Sequence, residues 1–213
     1  MYYETAHRDK TLLPHDPFKA LVVPRPVGWV STMNRAGQIN LAPYSYFNAF
    51  AGRPPIVGFS SDGPKDSATF AEETREFVWN MATYPLRDQM NATSAPLPRG
   101  ESEFPYAGLE MAPCHLVRPP RVAASPASLE CKVVDVIRLK DVNGEPVDNI
   151  LVLGQVVAVH IDDRFIKDGI VDAVAMQPIA RCGYADYAIV KDMFQIIRPA
   201  GGGGEPVPEQ KRG

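Results

Sequence analysis

Cysteine is scarce: 213 residues hold three, Cys114, Cys131 and Cys182. They are odd in number, far apart and without a C-x-x-C pair, so their spacing supports neither a disulfide framework nor a zinc site, and a reducing cytoplasm is the expected setting. An excess of one charge is also missing. Lys+Arg 22 against Asp+Glu 25 gives a net charge of −3, which argues against a nucleic-acid backbone as partner. No apolar run approaches the ~18 residues of a membrane-spanning helix, and residues 1–10 have no apolar stretch of the kind a secretory leader needs, so neither is expected. Walker A, nucleophile-elbow, H-E-x-x-H and G-x-G-x-x-G patterns are absent. The four histidines, His7, His15, His115 and His160, lack mutual ligand spacing, so no metal site and no catalytic side chain is expected.

Hydrophobic residues at 45% and charged residues at 22% are the proportions of an ordinary folded domain and exclude a largely disordered chain. A chain of this length buries roughly 70% of its extended surface and needs no staple. One domain over residues 1–199 is expected. Proline is in surplus, 21 residues against a usual share of about 5%. That density disfavours long helices and suits strands joined by shaped loops.

Residues 20–33 read as extended, with Pro24 and Pro26 biasing their predecessors away from helix. The turn Asn34-Arg35-Ala36-Gly37 leads to a second strand over 38–50, which makes a hairpin. Short strands follow at 56–60 and 77–81. A second hairpin pairs 128–139 with 150–161 around Asn143-Gly144, and a last strand is expected over 193–197. Helical pattern is confined to 67–76, 86–92 and 169–175. The Gly201–Gly204 run and the polar residues after it cannot bury a core, so 200–213 is expected to be a disordered tail. The sum is a mainly β protein with short helical decorations, an antiparallel barrel and not a doubly wound sheet.

One segment carries chemistry. Residues 60–69, Ser-Ser-Asp-Gly-Pro-Lys-Asp-Ser-Ala-Thr, connect a buried strand to a helix and gather hydroxyls, a glycine and Lys65 where the helix begins. With Asp66 or Ser67 as cap, the open N–H groups of the first turn, the hydroxyls and the cation suit a dianionic phosphate; the other reading is a plain capped helix after a polar loop. On the preceding hairpin, Ser31-Thr32 and residues 45–49 set small polar groups among aromatics, a mixture fitting a flat heteroaromatic ligand or simply a barrel core with surface hydroxyls.

The runs P-R-P-V-G-W-V-S-T (24–32), N-L-A-P-Y-S-Y-F-N-A-F (40–50), R-P-P-I-V-G-F-S (53–60), K-D-S (65–67), F-V-W-N (77–80), G-Q-V (154–156) and P-I-A-R-C-G-Y (178–184) occur in order along residues 10–198. In that order they resemble the flavin reductase-like family of FMN-binding split barrels. The resemblance implies a homodimer holding FMN near the subunit interface, with NADH or NADPH as co-substrate and a partner monooxygenase as one user of the reduced flavin. It implies that Ser31 and Thr32 line the flavin, and that Asn48 and Ala49 meet the isoalloxazine edge near Ser45 and Tyr46. It also implies that Ser60, Ser61, Lys65, Ser67 and Thr69 hold the phosphate end. Arg181 approaches the cofactor or forms a structural ion pair. Short-form members carry Gly-Asp-His before the Gly-x-Val strand; here the matching residues are Val147-Asp148-Asn149, so Asn149 replaces the histidine that assists the nicotinamide. The functions left open are an FMN-dependent oxidoreductase, a flavin-binding carrier or store without nicotinamide turnover, and a split barrel holding haem or a pyridoxal-type phosphate.

Overall fold

The computed structural model describes residues 1–196 and 199. In chain order the strands are β1 (Arg25–Pro26), β2 (Gly28–Met33), β3 (Ile39–Tyr44), β4 (Phe47–Gly52), β5 (Pro55–Asp62), β6 (Glu76–Asn80), β7 (Met111–Ala112), β8 (Arg121–Val122), β9 (Ala127–Lys140), β10 (Pro146–Ile161), β11 (Ile166–Lys167), β12 (Ile170–Val171), β13 (Ile179–Gly183) and β14 (Asp186–Ile189). The α-helices are short: α1 (Phe18–Leu21), α2 (Asp66–Thr74), α3 (Arg87–Ala92), α4 (Glu103–Tyr106) and α5 (Ala173–Met176).

Seven strands form one sheet in the order β3-β2-β6-β9-β10-β5-β4, with every pairing antiparallel. Its two edge strands, β3 and β4, are consecutive in the chain and separated only by Ser45 and Tyr46, so the ends of the sheet come back to one another. The expected mainly β, antiparallel barrel is the fold observed. Both expected hairpins form, β2–β3 around Gly37 and β9–β10 around Gly144, each glycine at a positive φ (84° and 85°). A separate sheet, β1-β13-β14, packs beside the N-terminal segment.

Several element boundaries differ from those expected. The strand expected over 38–50 is broken at Ser45–Tyr46. Of the strand expected over 193–197, residues 193–196 form no strand, and Ile197 lies outside the described residues, as does the expected tail 200–213. The apolar side chains Phe194 and Ile196 are exposed, and among the described residues the pattern there finds no partner strand to pack on. The last strands are instead β13 and β14, with Cα partners from Ile179↔Ile189 to Gly183↔Asp186. The helix expected over 169–175 is reduced to α5, because Ile170 and Val171 pair as β12 with Lys167 and Ile166 of β11.

Successive residues of a strand face opposite sides, and β2 buries both. Val30 packs inward with Phe59, Phe77, Cys131, Val133 and Val152 under the α2 residues Ala68 and Ala71. Trp29 faces outward into a second cluster with Leu41, Met90, Phe104, Val122 and Ile179, covered by α3 and α4. Its indole Nε1 donates to Thr93 Oγ1 at 2.9 Å, which satisfies the one polar atom of a fully buried side chain.

Gly154 is the closest approach in the inner cluster. A Cβ at this position would stand 2.3 Å from Cε1 of the buried Phe77 ring and 3.1 Å from Cβ of Cys131. The ring is fixed edge-on against Phe59, with centroids 5.4 Å apart, and has no room to retreat. Gly154→Ala is therefore expected to lower unfolding stability by about 1–3 kcal/mol, the range for overpacking a filled core. Urea unfolding of the two proteins checks this; equal midpoints would show that the core yields.

Candidate functional site

The passage from β5 to α2 is held from below and open above. Ser61 is fully buried and its hydroxyl donates to the Gly63 carbonyl at 2.8 Å. Gly63 turns the chain at φ 82° and donates its N–H to Asp148 O at 3.2 Å. Ser60 is partly exposed and accepts from Asn149 Nδ2 at 3.3 Å, so Asn149, where the resemblance implies a histidine, reaches into this passage. Lys65 occupies the N-cap position of α2 with extended backbone, and no side chain caps the helix.

Neither expected cap is used. Asp66 turns aside to Arg99, with Oδ1–Nε 3.0 Å, and its other oxygen accepts from Gly100 N at 3.4 Å. Ser67 is buried, and its hydroxyl donates to Asn40 Oδ1 at 2.5 Å. The reason is competition: a guanidinium and an inward amide offer these side chains better partners than the backbone does. Thr69 Oγ1 donates back to Lys65 O and Pro64 O at 3.0 and 3.1 Å. Lys65 itself is exposed and, among the described residues, makes no ion pair.

Beneath the loop, Asn40 Nδ2 donates to Glu103 Oε1 at 2.9 Å, and the Leu41 N–H donates to Glu103 Oε2 at 2.7 Å. Glu103 is 6% exposed. Burial pushes its carboxyl above the usual carboxylate value, more than these hydrogen bonds lower it. The Tyr44 hydroxyl lies beside Ser67 and Ser61, and burial pushes that phenol up as well.

The corner between β3 and β4 forms the second half of the site. Ser45 is half-buried and Tyr46 is exposed, with Lys19 Nζ and the Arg25 guanidinium each 5.9 Å from its ring centroid. Asn48 and Ala49 are exposed, and Asn48 Oδ1 accepts the Ala49 N–H at 2.8 Å. Ser31 and Thr32 are placed differently. Both are fully buried; Ser31 donates to Pro120 O at 2.5 Å, and Thr32 Oγ1 has no hydrogen-bond partner. They underlie the site and do not reach its surface.

A cavity of about 390 Å³ adjoins this corner, lined by Lys19, Arg25, Tyr44, Ser45, Arg181 and Tyr187 among others. Arg25 and Arg181 are direct cross-strand partners of β1 and β13. Like charges so placed repel, and among the described residues neither guanidinium has a carboxylate within ion-pair distance. Arg25 donates to the carbonyls of Lys19 and Val22, while its Nε is buried without a partner. Arg181 donates to Tyr184 O and lies 4.7 Å over the Tyr187 ring. Of the two roles expected for Arg181, an ion pair is thus not found. Sequence reading singled out Ser45 and Arg181 but missed Arg25, whose signal was a lone cation inside an otherwise apolar extended run.

The flavin reductase-like domain model matches residues 20–172, most of the chain and both halves of this site. The chain belongs to the flavin reductase-like family. An uncharacterized protein of Halalkalibacterium halodurans is 38% identical over 183 residues, 84% of this chain and 87% of its own. Nitrilotriacetate monooxygenase component B from Bacillus cereus superposes with a TM-score of 0.84 at 28% identity, covering 92% of this chain and 98% of that one. The flavoredoxin of Desulfovibrio vulgaris has the same fold, with a TM-score of 0.76 at 18% identity over 95% of this chain and all of its own. The fold is therefore the flavin reductase-like split barrel, shared with flavin-binding proteins.

In this flavin reductase-like chain the Glu103 carboxyl gives a pH test of the support under the β5–α2 loop. Its folded pKa lies above its unfolded value, so the unfolded chain ionises first as pH rises, and stability falls across the window between the two values. Glu103→Gln lacks this titration. The stability of the variant relative to the parent is expected to rise between pH 4 and 7, measured by urea unfolding at each pH; a relative fall would mean that the fold favours the ionised carboxylate.

Proposed function

We propose that this chain is an FMN-binding oxidoreductase of the flavin reductase type, taking hydride from NADH or NADPH and passing electrons to a second acceptor. The observation that carries the reading is the start of α2. Its first-turn amides have no side-chain cap, Lys65 is exposed beside them, and Arg99 draws the Asp66 charge away. Amides, a cation and the Ser60 hydroxyl fit a dianionic phosphate on chemical grounds. Ser61 on β5 and Ser67 on α2, whose hydroxyls already donate to Gly63 O and Asn40 Oδ1, shape this loop instead of touching the ligand.

FMN, when bound, supplies two-electron hydride chemistry at its ring. The chain's own residues then have three tasks. Lys65 and the α2 amides hold the phosphate. Ser45, Tyr46, Asn48 and Ala49 offer an aromatic face and amide edges to the ring. Lys19, Arg25 and Arg181 place positive charge at the cavity beside Tyr46, which favours added negative charge nearby.

Lys65→Ala is expected to weaken FMN binding by about 1.5–3 kcal/mol, roughly 10- to 150-fold. Titration by flavin fluorescence measures it, and unchanged affinity would remove Lys65 from the phosphate site. A carrier or flavin store without nicotinamide turnover is the second reading, favoured by Asn149 standing at the family histidine's place and bound to Ser60. Stopped-flow mixing separates the two: the oxidoreductase bleaches with NADH or NADPH, and the carrier bleaches with neither.

The edge strand β4 is exposed at every residue after Phe47, Phe50 among them, and Phe18, Leu21 and Val22 of the N-terminal segment are exposed as well. These apolar side chains fit a homodimer that completes the flavin site between protomers. Light scattering is expected to give twice the 23.4 kDa chain mass; the mass of one chain would rule the dimer out. A partner monooxygenase as acceptor and a reducing cytoplasm, in keeping with three free cysteines, belong to the same proposal.

A further inference from the structure

The irregular segment between β7 and β8 is fixed to the barrel by side chains, and one of its fully buried anchors is Glu130 on β9. Glu130 is fully buried, and both of its oxygens are engaged. Oε1 accepts from His115 N at 2.8 Å, while Oε2 accepts from Leu116 N at 2.6 Å and Val117 N at 3.1 Å. His160 on β10 brings Nε2 to 2.6 Å from Glu130 Oε1, its ring stacked on that of His115 with centroids 5.6 Å apart. Cys114 completes the group. One donor atom each from Cys114, Glu130 and His160 lie within 4.8 Å of one another.

We propose that Cys114, Glu130 and His160 form a binding site for a divalent zinc-like cation, with His115 or water as the fourth ligand. Thiolate, imidazole and carboxylate together are the donor set of a borderline cation; calcium and magnesium take oxygen shells. Four-coordinate zinc, with bonds of about 2.0–2.3 Å, asks for ligand atoms roughly 3.3–3.8 Å apart. The three atoms reach that spacing by local adjustment, with the ion taking the place of the proton between His160 Nε2 and Glu130 Oε1. The outer partners are already built: three backbone N–H groups fix the Glu130 carboxylate, and the Arg121 N–H lies against Cys114 Sγ. Entry is open, because His115 is exposed and Cys114 and His160 are half-buried, while Glu130 forms the floor. The three ligands come from the 113–120 segment, β9 and β10, so the ion joins an irregular strap to the central hairpin.

Spacing along the sequence hides this group. Glu130 and His160 are two residues out of register, Ser128 being the direct partner of His160, and only the β9–β10 pairing makes them diagonal neighbours.

The full-length chain, with whatever flavin it carries, is titrated with Co²⁺ and the difference spectrum recorded, then back-titrated with Zn²⁺. One equivalent per chain is expected, with a thiolate-to-cobalt band in the near ultraviolet and visible d–d bands of tetrahedral strength that zinc abolishes. Cys114→Ser is expected to lose the near-ultraviolet band and more than about 100-fold in zinc affinity, beyond the 10–100-fold typical of outer partners. Cys182→Ser is expected to keep both. Zinc at one hundred times its Kd is expected to raise the Tm of the parent by about 5–10 °C and leave that of Cys114→Ser unmoved. Circular dichroism of the metal-free proteins verifies that the variants fold. No cobalt band in the parent, a band surviving in Cys114→Ser, or no zinc-dependent Tm shift would each overturn the site. None of these readouts depends on FMN binding or turnover, so they leave the flavin proposal to its own tests.

Discussion

The buried relay from Ser67 through Asn40 to Glu103 decides what the flavin reductase-like site has to offer. A serine or aspartate at the start of a helix ordinarily turns back to cap it. Here Ser67 points into the barrel and Asp66 points to Arg99, so α2 begins uncapped with Lys65 above it. The first-turn amides are left without a side-chain cap because the side chains that would satisfy them are engaged elsewhere. The helix dipole and the lysine then act in the same direction.

The same logic fixes the segment around β7 and β8. The 113–122 segment lacks a ladder of its own beyond the two-residue strands β7 and β8, and its N–H groups must find partners. Asn80 Oδ1 takes the Val122 N–H at 2.8 Å, Glu130 takes those of residues 115–117, and Ser31 reaches the Pro120 carbonyl. Three strands of the barrel thus dedicate buried polar side chains to fixing a loop. Lost pairing there would leave buried groups unsatisfied, at a cost of about 1–3 kcal/mol each.

Much of the fold was legible in the sequence because it is locally encoded. Asn34–Gly37 and Asn143-Gly144 mark the two hairpins, and the β9 and β10 runs are long enough for their pattern to speak. The C-terminal strands were misplaced because Met193, Phe194 and Ile196 carry strand-like composition without a partner, whereas β13 and β14 are short and hold charged and glycine residues. The segments of the site were legible through the ordered family runs, but not the orientation of their side chains. Ser31, Ser61 and Ser67 look like ligand hydroxyls in one dimension, and in the structure each hydroxyl donates to a protein oxygen. Arg25 and the Cys114–Glu130–His160 group depend on register between distant strands, which no local pattern contains.

The central claim is that a flavin occupies the open β5–α2 loop and the β3–β4 corner. Calorimetric titration of flavin-free protein with FMN, set beside riboflavin, tests it most directly. The account predicts one FMN per chain and much weaker binding of riboflavin, which lacks the phosphate. No heat with FMN, or equal affinity for the two, would contradict it.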